Sequence, residues 1–190
     1  MRQVYLLLAL SCCLACSRPP GTFNNPNSAR AMLNDSAWFG RATAVEAGAI
    51  NDNPCAAGRF TVFIATDLGY PGDKLRLSPE IAVMQAGEFV PRQRLTFCNI
   101  PTKTGSYRVS ELNRCGSFVL MQGNFALLGN GSSLVGAYFV QTTKTNRVRI
   151  VKIDSVARTI TGRFNITLAD SSGRVARFRR GLFIARLPKK

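Results

Sequence analysis

Thr159-Ile160-Thr161-Gly162-Arg163-Phe164-Asn165-Ile166-Thr167-Leu168 alternates apolar and polar residues with period two. Ile160, Phe164, Ile166 and Leu168 fall on one side, and Thr159, Thr161, Arg163, Asn165 and Thr167 on the other, the pattern of a strand with one buried face. Ala169-Asp170-Ser171-Ser172-Gly173-Arg174 concentrates turn formers, with Gly173 free to take a positive φ, so a hairpin into a strand from Arg174 to Leu187 is expected. Before it, Arg147 to Ile153 reads as another strand that turns through Asp154-Ser155-Val156-Ala157. The last three strands therefore form a meander.

The same logic extends toward the N-terminus. Arg30 to Leu33 and Ala37 to Val45 read as strands joined by the turn Asn34-Asp35-Ser36, and Arg59 to Thr66 places Phe60, Val62 and Ile64 on one face. Arg92 to Cys98, Tyr107 to Val109, Ser117 to Met121 and Leu134 to Thr142 add further segments. Leu68 to Val90, with Pro71, Gly72, Pro79 and Gly87, reads mostly as loop, with one strand or short helix around Ile81 to Gln85. Many short strands separated by Gly-rich and Pro-rich turns define an all-β fold, a single antiparallel β-sandwich or barrel-like domain.

Ahead of that domain, Arg2 and an apolar stretch from Val4 to Ala15 have the form of a signal peptide, too short to span a bilayer as a helix. Cys13-Leu14-Ala15-Cys16 resembles a lipobox, with Ala15 before the cleavage point and Cys16 as the residue that would be diacylated. Cys13 stands where that pattern has an aliphatic residue, and Leu10-Ser11-Cys12-Cys13 offers a second register. An ordinary signal peptide cleaved nearby is the plainer alternative. The expected organisation is a lipoprotein signal peptide over 1–15, a flexible tether over 16–28, and an antiparallel β domain over 29–190. The tether reading rests on Ser17-Arg18-Pro19-Pro20-Gly21 and the Asn-rich run after it, which have little to bury.

With Cys16 acylated and its predecessors removed, Cys55, Cys98 and Cys115 remain. If the strand from Arg59 runs antiparallel to the one ending at Cys98, then Cys55 and Cys98 share one end of the sheet and are candidates for a disulfide. Three reduced thiols are the other reading.

The closing strands also carry a resemblance. Val148-Arg149-Ile150-Val151-Lys152-Ile153-Asp154, the Ile160-Thr161-Gly162-Arg163-Phe164 core of the next strand, Gly173-Arg174-Val175 and Arg180-Gly181-Leu182-Phe183 are similar to the end of a family of uncharacterised Bacteroidetes lipoproteins. Asn34 to Trp38 resembles that family's early hairpin bearing a Trp, without the usual Gly in its turn. The resemblance implies a β-rich, membrane-tethered domain and brings no functional residues with it. Ser17-Arg18-Pro19-Pro20 lacks the acidic residues that follow the lipidated cysteine in such surface-exposed lipoproteins, which points to the periplasmic face of the outer membrane. Asp35-Ser36-Ala37 and Asp154-Ser155-Val156 resemble that group's O-glycosylation pattern and read equally as polar turns.

Charge is the other departure from the ordinary. The chain holds 25 basic and 10 acidic residues, and from Arg147 to Lys190 there are 12 basic against 2 acidic, so this stretch supplies ten of the formal fifteen positive charges. Arg147, Arg149, Arg163, Arg174, Arg177, Arg179 and Arg180 are the candidate anion-binding face, since a guanidinium presents a planar fork that can bond two oxygens of a phosphate or carboxylate. Anionic envelope lipids or glycans suit an exported protein better than nucleic acid, which also calls for exposed stacking aromatics. A merely solvated strand face is the plain alternative.

Catalysis is not expected. The chain has no His, so Ser-His-Asp and Cys-His arrangements are excluded, and no cofactor or metal motif occurs. Asp67, Asp73, Glu80 and Glu88 have no spacing that makes them converge, and Gly129-Asn130-Gly131-Ser132-Ser133 lacks the Lys-Ser/Thr ending of a phosphate loop and reads as a turn between strands. Trp38 with Phe39 could stack on a sugar, although a lone Trp in a β domain more often belongs to the core. The expected function is a lipid-anchored binding or structural module of the envelope. The alternative is a carrier of small apolar ligands with a calycin-like barrel, which requires an enclosed apolar cavity.

Overall fold

The computed structural model describes residues 26–46, 58–67, 89–112, 124–129, 133–141 and 145–187. They form ten strands and one short helix: β1 (Ser28–Leu33), β2 (Ser36–Glu46), β3 (Arg59–Thr66), β4 (Gln93–Pro101), β5 (Gly105–Arg108), α1 (Val109–Leu112), β6 (Phe125–Gly129), β7 (Ser133–Val140), β8 (Arg147–Asp154), β9 (Thr159–Ala169) and β10 (Val175–Arg186). Neighbours run in the order β1, β2, β3, β4, β6, β7, β9, β10 and back to β1, every step antiparallel. The fold is thus an eight-stranded closed barrel rather than an open sandwich, and the complete ring is contained in Ser28–Arg186. Closure pairs the first strand with the last and leaves neither as an edge.

Period-two alternation decides what enters the barrel. On β9, Ile160, Phe164, Ile166 and Leu168 are buried while Arg163 and Asn165 are exposed. On β10, Ala176, Phe178, Phe183 and Ala185 are buried. The interior is occupied by a continuous chain of rings. Trp38 meets Phe178 edge-on at 5.1 Å, Phe178 meets Phe125 at 5.0 Å and Phe164 at 6.2 Å, and Phe164 meets Phe97 at 5.2 Å and Phe183 at 6.3 Å. Such edge-to-face and tilted contacts add to the area the rings bury. Two glycines make room for this packing. Gly181 lies opposite Phe164 and Gly162 opposite Phe183, and a Cβ on either would sit 2.5 Å and 2.3 Å from the facing ring. Trp38 belongs to this core, with its indole N–H donating to Gln93 Oε1 at 2.9 Å, so it is not available to stack on a sugar; its neighbour Phe39 is 57% exposed.

The sheet forks at β9. Strand β7 meets β9 through Phe139 opposite Ala169 and Val140 opposite Leu168, with the Gln141 N–H just beyond β7 donating to the Thr167 carbonyl at 3.4 Å, while the stretch of β9 from Thr159 to Asn165 pairs with β8, which in turn carries β5. Buried Asn146 fastens the fork, accepting from the Thr167 N–H at 2.6 Å and donating to the Gln141 carbonyl at 2.7 Å. A side chain here replaces the ladder hydrogen bonds that the branching strands give up. Helix α1 follows β5 directly and buries Val109 and Leu112 against the same core.

Several sequence expectations need adjustment. The strand foreseen over Tyr107 to Val109 ends at Arg108, and Val109 opens α1. Strand β6 was not foreseen as a separate element because Phe125-Ala126-Leu127-Leu128 does not alternate, and all four residues are buried. The early hairpin turns without Gly because Asn34 and Asp35 themselves take positive φ, 46° and 65°, as a two-residue turn of type I′ requires. Asn34 also ties this turn to β10, donating to the Val175 carbonyl and accepting from the Arg177 N–H. The expectations on residues 1–25, among them Cys16 and its tether, lie outside the described residues, as do Cys55, Cys115, Ser117 to Met121, Ile81 to Gln85, Asp73, Glu80 and Glu88.

Candidate anion-binding face

Strands β5, β8, β9, β10, β1 and β2 turn one continuous outer surface to solvent, and their registers align residues in rows across it. One row runs Ser106, Arg149, Arg163, Leu182, Arg30, Phe39, each the direct cross-strand partner of the next. A second runs Arg108, Arg147, Asn165 and then meets an irregularity in β10. There Phe178 and Gly181 pair with Ile166 and Phe164, leaving Arg179 and Arg180 together opposite Asn165. This bulge turns two arginines outward where a regular strand would present one. Arg180 takes a φ of 52°, and its N–H donates to Asn165 Oδ1 at 2.8 Å. Holding a non-glycine residue in the left-handed region costs on the order of 1 kcal/mol, so the bulge spends stability to place these side chains.

Of the seven arginines expected to form the face, Arg147, Arg149, Arg163, Arg179 and Arg180 are brought together and are exposed. Arg177 lies one outward position further along β10, opposite Thr167. Arg174 does not join them. It sits in the β9–β10 turn, where its Nε donates to Asp170 Oδ2 at 2.6 Å and its charge is already matched. Arg30 and Arg108 belong to the rows and were missed by sequence reasoning. Arg30 enters only because barrel closure lays β1 against β10 and sets Arg30 opposite Leu182, a pairing of the two ends of the domain that no local pattern announces.

Among the described residues little negative charge balances this surface. Arg179 meets Asp35 at 3.1 Å and Arg108 meets Glu111 at 3.4 Å, both exposed pairs of small energetic weight. Among the described residues Arg147, Arg149, Arg163, Arg177 and Arg180 make no ion pair, and Arg147 donates only to Ser106 Oγ at 3.4 Å. Arg149 and Arg163 stand directly opposite each other, an arrangement of like charges that is unfavourable in the unliganded sheet. An anion seated between them would remove that repulsion and could accept from both forks.

Cys98 is a buried free thiol whose pKa burial pushes up to about 11, against the Thr61 hydrogen bond and the Arg94 charge, so it is neutral at physiological pH. Its candidate disulfide partner Cys55 is outside the described residues. Among the described residues no group of His, Cys, Asp or Glu could hold a metal ion, and no helix is long and apolar enough to cross a membrane.

Fold and face together define a class: a closed antiparallel barrel with an aromatic core and a basic outer surface. No family model, curated protein or solved structure matches the chain.

Proposed function

We propose that this barrel is a non-enzymatic binding module of the cell envelope, lipid-anchored through Cys16 on the periplasmic side of the outer membrane, that recognises phosphate or carboxylate groups through its arginine rows. The observation that carries the reading is the registered opposition of Arg149 and Arg163, flanked by Arg147 and by the bulge that exposes Arg179 and Arg180. A sheet that retains a repulsive pair and a left-handed Arg bears costs that an anionic ligand offsets. The envelope setting rests on the signal and lipobox pattern and on the family resemblance of the closing strands. The alternative, a carrier of small apolar ligands, has the closed eight-stranded ring in its favour. That ring size leaves room for either side chains or one small ligand, and here aromatic rings occupy it from Trp38 through Phe178 to Phe183.

Because the ring is complete within Ser28–Arg186, the chain from Ser17 onward can be tested without lipid. Its binding to soluble polyphosphate and to polygalacturonate is measured by titration calorimetry at several salt concentrations. Binding that weakens with salt and falls about tenfold in Arg149→Gln/Arg163→Gln is expected. A control that removes the same charge at Lys189 and Lys190 retains most of the affinity. Equal loss in both double variants would reduce the effect to net charge and overturn the assignment of the site.

A further inference from the structure

The rows do not end in arginine. On β10, β1 and β2 the outward positions change character: Leu182, Ile184 and Met32 are half-buried, and Ala37 and Phe39 are exposed. Leu182 and Phe39 lie in the same row as Arg149 and Arg163, with Arg30 between them. Ile184 lies two residues along β10 from Leu182, and Met32 two along β1 from Arg30. The outer surface therefore has a partly apolar strip beside the arginine rows, interrupted by Arg30 and by Ser28 opposite Ile184, and two residues along β2 from Phe39, Arg41 stacks its guanidinium over the Phe89 ring at 4.1 Å. At its margin Asp35 is engaged by Arg179 at 3.1 Å.

A soluble polyanion would make use of the arginines and leave the strip wet. A bilayer uses both, because apolar and aromatic side chains enter the boundary between headgroups and acyl chains while arginines reach the phosphates beside them. Resting on the arginine-face reading, we propose that this surface lies flat on an anionic phospholipid bilayer, with Phe39 entering the headgroup boundary and Arg149 and Arg163 meeting lipid phosphates. The occupant is chosen by complementarity: positive rows beside an apolar strip match negative headgroups above hydrocarbon. A lipid at Cys16 would then act as the second of two membrane attachments, and one acyl-based anchor and one basic surface hold better together than either alone.

The test uses the chain from Ser17 onward with vesicles of phosphatidylcholine containing about 30% phosphatidylglycerol, and with pure phosphatidylcholine vesicles. Cosedimentation is expected with the anionic vesicles and not with the neutral ones. Phe39→Ser should lose about tenfold in vesicle affinity while keeping its affinity for soluble polyphosphate, and Arg149→Gln/Arg163→Gln should lose both. Phe39→Trp should show a blue shift of its emission on the anionic vesicles. Vesicle binding by Phe39→Ser equal to that of the parent, or no shift in Phe39→Trp, overturns the docking inference and leaves the anion site standing. Undiminished binding of polyphosphate by the arginine double variant overturns both.

Discussion

Removing one member of the Arg149–Arg163 pair should make the protein more stable and a worse binder at once. The two residues are direct cross-strand partners on the outer face of β8 and β9, and both are exposed. Cβ atoms in such a pair lie about 5 Å apart, and flexible side chains let the charged groups separate to about 6 Å. At that distance the Coulomb repulsion in a water-like dielectric is about 0.7 kcal/mol, within the range of a few tenths to about 1 kcal/mol typical of cross-strand pairs. Arg163→Gln should therefore raise stability by about 0.5 kcal/mol at low salt and by almost nothing near 1 M salt, where the Debye length is about 3 Å. Arg149→Gln should do the same, and the double variant should gain less than the sum, because the repulsion can be relieved only once. Urea unfolding followed by the fluorescence of Trp38, the single and buried Trp, reads this as a midpoint rise of about 0.2 M. Added pyrophosphate should then stabilise the parent more than either variant. Additive single effects, or losses of stability that ignore salt, would refute the claim that the two guanidinium groups repel across the sheet.

Other consequences follow from the fold. Asn146→Ala strips the fork of both hydrogen bonds, leaving the Thr167 N–H and the Gln141 carbonyl to pair elsewhere, and should cost about 2–4 kcal/mol in the same urea assay; a loss below about 1 kcal/mol would mean that β7 and β8 hold β9 without it. Gly181→Ala drives a Cβ to 2.5 Å from the Phe164 ring and should cost about 1–3 kcal/mol, part of which Phe164→Leu recovers when the two are combined; simple additivity of the two would contradict the contact. The Asp170 carboxyl, pushed up by burial but pulled down more strongly by hydrogen bonds from Ser172 and Arg174 and by the Arg174 charge, is held at about 2. A folded value below the unfolded one of about 3.9 stabilises the protein above that pH and loses the contribution as pH falls through 2. The difference in melting temperature between the parent and Asp170→Asn should thus shrink as pH drops from about 5 to 2, and a constant difference would remove Asp170 from the account.

What could be read from the chain follows from how local each signal is. The β9 alternation and the Asp170 to Gly173 turn contain their own instructions, and the hairpin they predict is present, with Gly173 at a φ of 85°. Asn34-Asp35 was legible as a turn, although the side-chain link from Asn34 to Val175 and Arg177 was not, because it joins residues more than a hundred positions apart. Barrel and sandwich share the same alternation; only the pairing of β1 with β10 separates them, and that pairing is set by which apolar faces meet in three dimensions. Strand β6 escaped because burial on both faces erases the alternation that marks a half-buried strand. Of the candidate site, the arginines of β8 and β9 were legible because the meander fixes which strands are neighbours. The bulge at Arg179 and Arg180 was not, since one extra residue in a strand leaves composition unchanged. The departure of Arg174 was equally hidden, because its salt bridge to Asp170 depends on turn geometry.

Under the proposed function, anions are held between the arginines of β8, β9 and the β10 bulge. Titrating isotopically labelled protein with pyrophosphate and following the arginine Nε–H and backbone amide resonances tests it directly. Perturbations centred on Arg147, Arg149, Arg163, Asn165 and Arg180, saturating together with one affinity, are the predicted result. Saturating shifts centred elsewhere on the barrel, or none at the Arg149 and Arg163 Nε–H groups, would contradict it.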